Sequence, residues 1–144
     1  MRQISSLGTI MAALSVAACS TTVNLYPVQG PLASQRPLPV IAATADGILG
    51  NTGNLTMTMP NGEVCSGKWS SVAPQYAGSV SLFGQYGTAA GFATGIQPGV
   101  NKGQAFLSCT LGTTVEAEFY TGSGTASGYG IAKDSKSNVY KMLF

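Results

Sequence analysis

The sequence predicts an all-β protein, a small antiparallel β-sandwich or barrel that follows an N-terminal signal peptide and a Pro-rich tether. Stretches in which apolar and polar residues alternate recur along residues 40–144, and this period of two is typical of strands. Gly, Pro, Asn, Asp and Ser cluster between the stretches as turn residues. No stretch of the mature chain shows a helical period. Strand order is not visible in a sequence, so the choice between sandwich and barrel stays open.

The first residues have the parts of a secretory signal. Arg2 is followed by an apolar run over residues 7–16 and by small residues before Cys19, and this order is typical of an exported chain. A transmembrane helix needs about 20 apolar residues, whereas polar residues begin here at Ser20. The sequence therefore predicts a signal peptide over residues 1–18.

The segment Leu14-Ser15-Val16-Ala17-Ala18-Cys19 ends this signal. It resembles the lipobox of bacterial lipoproteins, in which leucine and two small or apolar residues precede a cysteine. The resemblance implies that the Cys19 thiol receives a diacylglycerol and that its freed amine is acylated, with palmitate as an expected acyl group. Ser20, rather than Asp, follows the cysteine, which by that family's sorting rule implies the periplasmic face of the outer membrane. The alternative is an ordinary signal peptide with a chance cysteine.

The number of cysteines agrees with an anchor. The chain has three, so lipid on Cys19 leaves Cys65 and Cys109. An exported protein enters an oxidising compartment, where two free thiols are not expected to persist. We predict a Cys65–Cys109 disulfide, the alternative being two separate buried thiols.

Residues 19–39 are predicted to be a lipidated tether, because four prolines between positions 27 and 39 disfavour helix. Within it, Val23 to Val28 alternates and is a candidate edge strand. The β domain is expected over residues 40–144, beginning with the apolar run from Val40 to Ala45. Turn residues follow at positions 46–47 and 50–54.

The clearest hairpin lies in the next segment. Leu55 to Met59 alternates, Pro60-Asn61-Gly62 is a turn with Gly at a left-handed position, and Glu63 to Trp69 returns. On the returning strand Cys65, Gly67 and Trp69 share one face. We expect the single tryptophan to be a core residue rather than a ligand-stacking one.

Residues 84–95 are rich in glycine. Gly87, Gly91 and Gly95 are spaced by four, as in the glycine zippers of membrane helices. Glycine disfavours helix by about 1 kcal/mol relative to alanine, and the stretch is too short and polar to span a membrane. A mobile loop or a Gly-kinked strand pair is the preferred interpretation.

The C-terminal third predicts consecutive strands. Period two places one set of residues on a single face of a strand (Ala105, Leu107, Cys109, Leu111) and a second set inward on the next (Val115, Ala117, Phe119). Glu116, Glu118 and Tyr120 then face outward. Tyr129 to Lys133 and Val139 to Phe144 complete the pattern, with a polar turn between them. The aromatic end at Phe144 resembles outer-membrane barrel proteins, but the strands are short for spanning, so a buried final strand is expected.

Composition excludes several functions. The chain has no histidine, which removes His-based triads and most zinc sites. Charged residues are 8% of the chain, without the basic patch of a nucleic-acid binder. Glu116 and Glu118 could mimic a catalytic carboxylate pair, but a solvated face is the expected role. The turn Asp134 to Asn138 lacks the spacing of a calcium loop. We predict no catalytic residue, no metal site, no cofactor and no enzyme activity.

Three segments carry a wider resemblance: Leu25 to Val28, Pro60 to Trp69, and Gly128 to Tyr140. They resemble small proteobacterial lipoproteins, a resemblance that implies no particular activity. The chain is also similar in plan to periplasmic lysozyme-inhibitor lipoproteins, which are small disulfide-bonded β-barrels, although their inhibitory motif is not recognisable here.

The sequence thus predicts an outer-membrane lipoprotein with a non-catalytic structural or interaction role in the envelope. Its expected partners are the membrane, through the anchor, and envelope proteins or glycan. The alternative is a periplasmic binding or inhibitor module, which an exposed cluster of aromatics would favour (Tyr76, Phe83, Tyr86, Phe92).

Overall fold

The structure, a computed structural model, describes residues 19–72, 100–122 and 125–144. Over these residues the chain forms eight antiparallel strands that close into one barrel. Each strand pairs with the next one along the chain, and the last pairs with the first. The predicted all-β class is confirmed, and the choice between sandwich and barrel is settled in favour of the barrel.

The strands follow one another in chain order, joined mostly by short turns. They are β1 (Ser20–Gln29), β2 (Ile41–Asp46), β3 (Thr52–Thr58), β4 (Val64–Val72), β5 (Val100–Cys109), β6 (Thr114–Gly122), β7 (Gly128–Asp134) and β8 (Val139–Leu143), with a 3₁₀ turn over Pro31–Ser34 after β1. The signal segment, the Gly-rich stretch 84–95 and the four aromatics of the predicted cluster lie outside the described residues.

Strand β1 closes the barrel. Leu25 lies opposite Ile41 of β2 on one side and opposite Met142 of β8 on the other. The tether predicted over residues 19–39 is therefore wrong for its first half, which belongs to the β domain, and β1 is not an edge strand. Pro27 is accommodated because the β1–β8 pairing shifts between Pro27 and Gln29, and such irregularities tolerate a missing N–H group.

Alternation along each strand separates an apolar interior from a polar exterior. Of the predicted inward residues, Ala105, Leu107, Val115, Ala117 and Phe119 are buried and Cys109 is partly buried, and Tyr140 and Met142 bring β8 into the same core. The prediction fails for Leu111, which is 75% exposed because it lies in the β5–β6 turn. It also fails for Glu118, which faces outward but is only 3% exposed, since Gln104 and Ile131 flank it on the neighbouring strands.

The predicted disulfide is confirmed. Cys65 and Cys109 face each other directly across β4 and β5 and are bonded. Their Cα atoms are 3.9 Å apart, closer than the roughly 4.4–6.8 Å that is usual for disulfides. The adjacent pair Val64 and Thr110 carries the backbone hydrogen bond, so the cysteines occupy the closer, non-hydrogen-bonded position of the ladder.

The close approach of the β4 and β5 backbones explains why residue 67 of β4 is a glycine. A β carbon on Gly67 would collide with the carbonyl oxygen of Phe106 on β5. Gly67 shares the inward face of Cys65 and Trp69, as predicted, but it contributes space rather than a side chain. Gly62 has φ +90°, which confirms the predicted left-handed glycine of the β3–β4 turn.

The two ends of the barrel differ in their connections. One end, called here the polar end, carries the turns 59–63, 109–113 and 134–138. The other end, called the mouth, carries the connections 47–51 and 122–128, the first residue of β1 and Phe144. No helix in the described part of the chain has the length and apolar character to cross a membrane.

Candidate functional site

Glu63 is the centre of the first polar cluster at the polar end. Its side chain is 2% exposed, on the inward face of the chain entering β4. Oε1 accepts hydrogen bonds from Asn61 Nδ2 at 2.9 Å, Thr113 Oγ1 at 2.8 Å and Lys136 Nζ at 3.1 Å. Oε2 accepts one from the backbone N–H of Leu111 at 3.3 Å. These donors come from three different turns, so one carboxylate ties them together.

Asp134 is the centre of the second polar cluster, at the end of β7. Oδ1 accepts the backbone N–H groups of Lys136 at 2.9 Å and Asn138 at 3.0 Å. Oδ2 accepts Asn138 Nδ2 at 2.9 Å and the Tyr140 hydroxyl at 2.6 Å. Asn138 Oδ1 in turn accepts the N–H of Leu32 at 2.9 Å. Through this chain of bonds the 3₁₀ turn is fastened over the polar end.

The hydrogen bonds and burial at this end shift two pKa values. The hydrogen bonds from Asn61 and then Thr113 lower the pKa of Glu63 from 4.5 to about 2, against the opposing effect of burial. Burial is the main reason that the pKa of Tyr140 is raised above its usual value, and the hydrogen bond to Asp134 adds to it. Glu63 is thus held ionised and Tyr140 is held neutral near pH 7.

The carboxylates of the polar end are saturated by hydrogen bonds within the fold. No buried polar side-chain atom in the described residues lacks a hydrogen-bond partner, and both carboxylates receive four hydrogen bonds. A general base needs a free lone pair within reach of its substrate. Carboxylates that are already saturated by turns of the same protein stabilise those turns instead.

The mouth holds a cavity. Its volume is about 300 Å³. Its inner walls are apolar, with Val23 of β1, Leu55 of β3 and Met142 of β8 among them. Ile48 and Leu49 of the β2–β3 connection border it at the rim, and Leu49 is 88% exposed.

Three aromatic rings line the cavity. The rings of Trp69 and Phe119 meet edge to face with centroids 6.3 Å apart, and those of Phe119 and Phe144 do so at 5.9 Å. The indole Nε1 of Trp69 donates to the carbonyl oxygen of Asp46 at 2.8 Å. Trp69 is a core residue, as predicted. Together with Phe119 and Phe144 it also borders the cavity.

Cys19, the predicted lipidation site, is exposed and is not disulfide-bonded. It lies one residue before β1. Alternation along β1 places residues 19, 21 and 23 on the same side, and Thr21 and Val23 line the cavity. The structure therefore places Cys19 at the mouth, far from the polar end.

The predicted pair Glu116 and Glu118 occupies one outward face of β6, but the two residues differ in environment. Glu116 is exposed and lies 3.8 Å from Lys133 Nζ. Glu118 is buried, so the prediction of a solvated face is wrong for this residue. Within the described residues no group of three or more His, Cys, Asp or Glu side chains is placed to hold a metal ion.

Sequence reasoning missed the two polar clusters and the cavity. Period two already places Glu63 on the face of Cys65 and Trp69, and Asp134 on the face of Ala132. A carboxylate at an inward position next to a turn is therefore a recognisable signal for a capped barrel end. Ile48 and Leu49 give a weaker signal for the cavity, since apolar residues are unusual in a glycine-flanked turn.

Comparisons of the chain with protein-family models, with curated proteins and with solved structures find no match.

Proposed function

We propose that the protein is an outer-membrane lipoprotein anchored through Cys19, with a barrel that has a non-catalytic structural or interaction role at the periplasmic face. One observation supports this most: Cys19, the cysteine of the lipobox-like segment, is exposed and directly precedes the first barrel strand. A lipid on this residue would not disturb the core.

The absence of a tether gives the anchored barrel a definite orientation. A strand rises about 3.3 Å per residue, and Ser20 is already part of β1. The anchor therefore holds the mouth against the bilayer surface and directs the polar end toward the periplasm. Leu49, exposed at the rim, then lies at the lipid headgroups, where an apolar side chain is favourable.

A non-catalytic role agrees with the chemistry of several described side chains, although Glu116 and Glu118 line a second cavity together with Lys68. Cys65 and Cys109 are oxidised, and the sequence contains no histidine. Glu63 and Asp134 are saturated by hydrogen bonds within the fold. Glu116 is paired with Lys133 at the surface. These groups serve the barrel, which leaves its surfaces and its mouth for contacts with other molecules.

Metabolic labelling with palmitate, followed by membrane fractionation, tests the anchor. Wild type should carry label in the outer-membrane fraction, and Cys19→Ala should carry none. The double variant Cys65→Ala/Cys109→Ala is the matched control, because it removes two cysteines and keeps Cys19. Equal label in wild type and Cys19→Ala would contradict the proposal.

The destination is tested separately with Ser20→Asp. The residue after the lipidated cysteine is expected to direct sorting, so this variant should keep its palmitate label and move to the inner membrane. Thr22→Asp, two positions along the same strand, is the control and should stay in the outer membrane. An unchanged location of Ser20→Asp would leave the anchor intact and remove the basis for the outer-membrane assignment.

The second candidate is a periplasmic binding or inhibitor module, and the cavity at the mouth favours it. An eight-stranded barrel is either filled by its own side chains or able to hold one small ligand. Purified protein added to a lysozyme assay tests the inhibitor form of this function. Stoichiometric loss of lysozyme activity would support it, and unchanged activity would exclude lysozyme as the target.

A further inference from the structure

The described side chains fill the interior of the barrel unevenly between its two ends. Toward the polar end the interior is closed by Leu107, Val115 and Tyr140, which are fully or almost fully buried. Toward the mouth the same barrel leaves about 300 Å³ unfilled. Cavities of this size lie at the lower end of the range of small-molecule sites, roughly 300–1,000 Å³.

The polarity of the cavity changes from its interior to its rim. The aromatic rings of Trp69, Phe119 and Phe144 line the cavity, and the Trp69 N–H is already used by Asp46. Thr21, Asn51 and Thr125 contribute hydroxyl and amide groups to the lining near the chain connections. None of the described residues that line the cavity is charged.

This lining favours a ligand that has an apolar segment and a polar head group. A polar or charged group placed against the aromatic wall would lose its hydration without gaining a hydrogen bond, which is costly. A hydrocarbon segment placed there is stabilised by the burial of its apolar surface, at about 25 cal/mol per Å² buried. A polar head group meets hydroxyls, an amide and water only at the rim. The volume admits one narrow chain rather than a wide ring system.

We propose that the mouth binds a single acyl chain, inserted tail first toward Trp69, with its head group held at the rim. This site goes beyond the anchoring role and does not depend on it, since Cys19 is not among the described residues that line the cavity. The chain can come from a free fatty acid, from a membrane lipid or from the protein's own lipid on Cys19, and all three share the same chemistry.

Trp69 is the only tryptophan of the protein and reports on the cavity directly. The test titrates the Cys19→Ser chain, which carries no lipid, with 12-bromododecanoate and with 2-bromododecanoate. Bromine quenches indole fluorescence on contact. Tail-first insertion brings the terminal bromine to Trp69 and leaves the 2-bromo group at the rim. We expect saturable quenching that is several-fold stronger for the terminal bromide.

Two pairs of variants localise the site. Ala45 lines the cavity and Thr44 is exposed on the outer face of the same strand, so Ala45→Phe should abolish the quenching while Thr44→Phe keeps it. Leu49→Ser is a variant that cannot disturb the core, and Leu111→Ser is its match, because both leucines are exposed at opposite ends. We expect Leu49→Ser to weaken binding on the order of tenfold, and Leu111→Ser to leave it unchanged.

Further arms distinguish the source of the chain. Quenching by vesicles of brominated phosphatidylcholine but not by the free acids would assign the site to membrane lipid. Binding by the Cys19→Ser chain that is lost in the lipidated wild type would assign it to the protein's own anchor. Equal quenching by the two bromododecanoates would overturn the tail-first geometry. Absence of saturable quenching in every arm would overturn the acyl-chain site.

Discussion

The two ends of the barrel solve the same structural problem in opposite ways. At the polar end, carboxylates with inward-facing side chains gather the turns through hydrogen bonds, and the interior is closed. At the mouth, aromatic rings pack edge to face and leave a cavity. A hydrogen-bond network holds the turns of one end together, while the described residues of the other end leave space beside their aromatic rings.

The difference matters because hydrogen bonds and apolar contacts respond differently to substitution. A buried donor that loses its acceptor is left with the whole cost of its desolvation. An apolar wall that already borders a cavity loses only some of its contacts when one side chain is trimmed. We therefore expect stability to depend more on the polar end, and ligand binding to depend on the mouth.

The largest effect is expected for Asp134→Ala. The substitution removes the acceptor of the Tyr140 hydroxyl and of the backbone N–H groups of Lys136 and Asn138. We expect a loss on the order of 4 kcal/mol in the free energy of unfolding, measured by denaturant titration. Glu116→Ala is the control, since a surface carboxylate is expected to contribute under about 1 kcal/mol. Equal losses in the two variants would show that the polar end is not a stabilising network.

The next effect is that of the disulfide. It crosslinks the adjacent strands β4 and β5 beside the polar end, and its reduction should lower the free energy of unfolding by about 2–4 kcal/mol. Membrane attachment should not change, because the anchor is a different cysteine. Free reaction of Cys65 or Cys109 with a maleimide in the unreduced native protein would contradict the bond. Release of reduced protein from membranes would contradict the independence of the anchor.

Two smaller effects are expected when one hydrogen bond is removed at each end of the barrel. Tyr140→Phe leaves the buried Asp134 carboxylate with one donor fewer, and bonds to charged groups are worth about 1.5–3 kcal/mol. Trp69→Phe removes a bond to the neutral Asp46 carbonyl oxygen, for which about 1 kcal/mol is expected. Thermal unfolding of the two variants measures the difference. A larger loss in Trp69→Phe would reverse the comparison between the two ends.

The last effect is confined to acid. The folded pKa of Glu63 is about 2 against an ordinary value of 4.5, so ionised Glu63 stabilises the folded protein above pH 4.5. That contribution is lost as the pH falls from 4.5 toward 2, because the unfolded chain takes up the proton first. The stability of wild type should therefore fall more steeply than that of Glu63→Gln in this window.

The measurement is denaturant unfolding at a series of pH values. Asp46→Asn is a useful control at the mouth, where the backbone N–H and side chain of Asn54 also lower the pKa of a carboxylate. Because Asp46 is not part of the polar network, the two substitutions should flatten the acid response independently. An unchanged acid response in Glu63→Gln would show that this carboxylate does not hold the turns together.

The sequence by itself determined the local features of this protein. Period two identified strands and assigned their faces, because the side chains of a strand alternate whatever its partners are. The inward set on β6 and the place of Trp69 in the core follow from that alternation. The Cys65–Cys109 bond followed from the number of cysteines and an expected oxidising compartment, and the structure confirms it.

Only the tertiary structure decided which strands meet. β1 belongs to the barrel because β2 pairs with it on one side and β8, from the far end of the chain, on the other. The local sequence, with four prolines between positions 27 and 39, predicts a tether instead. Glu63 meets Thr113 and Lys136 only because three turns converge at one end. The cavity exists because the closed barrel of eight strands encloses a space that the described side chains do not fill. Pairing and closure join residues far apart in the chain, and a local period carries no information about them.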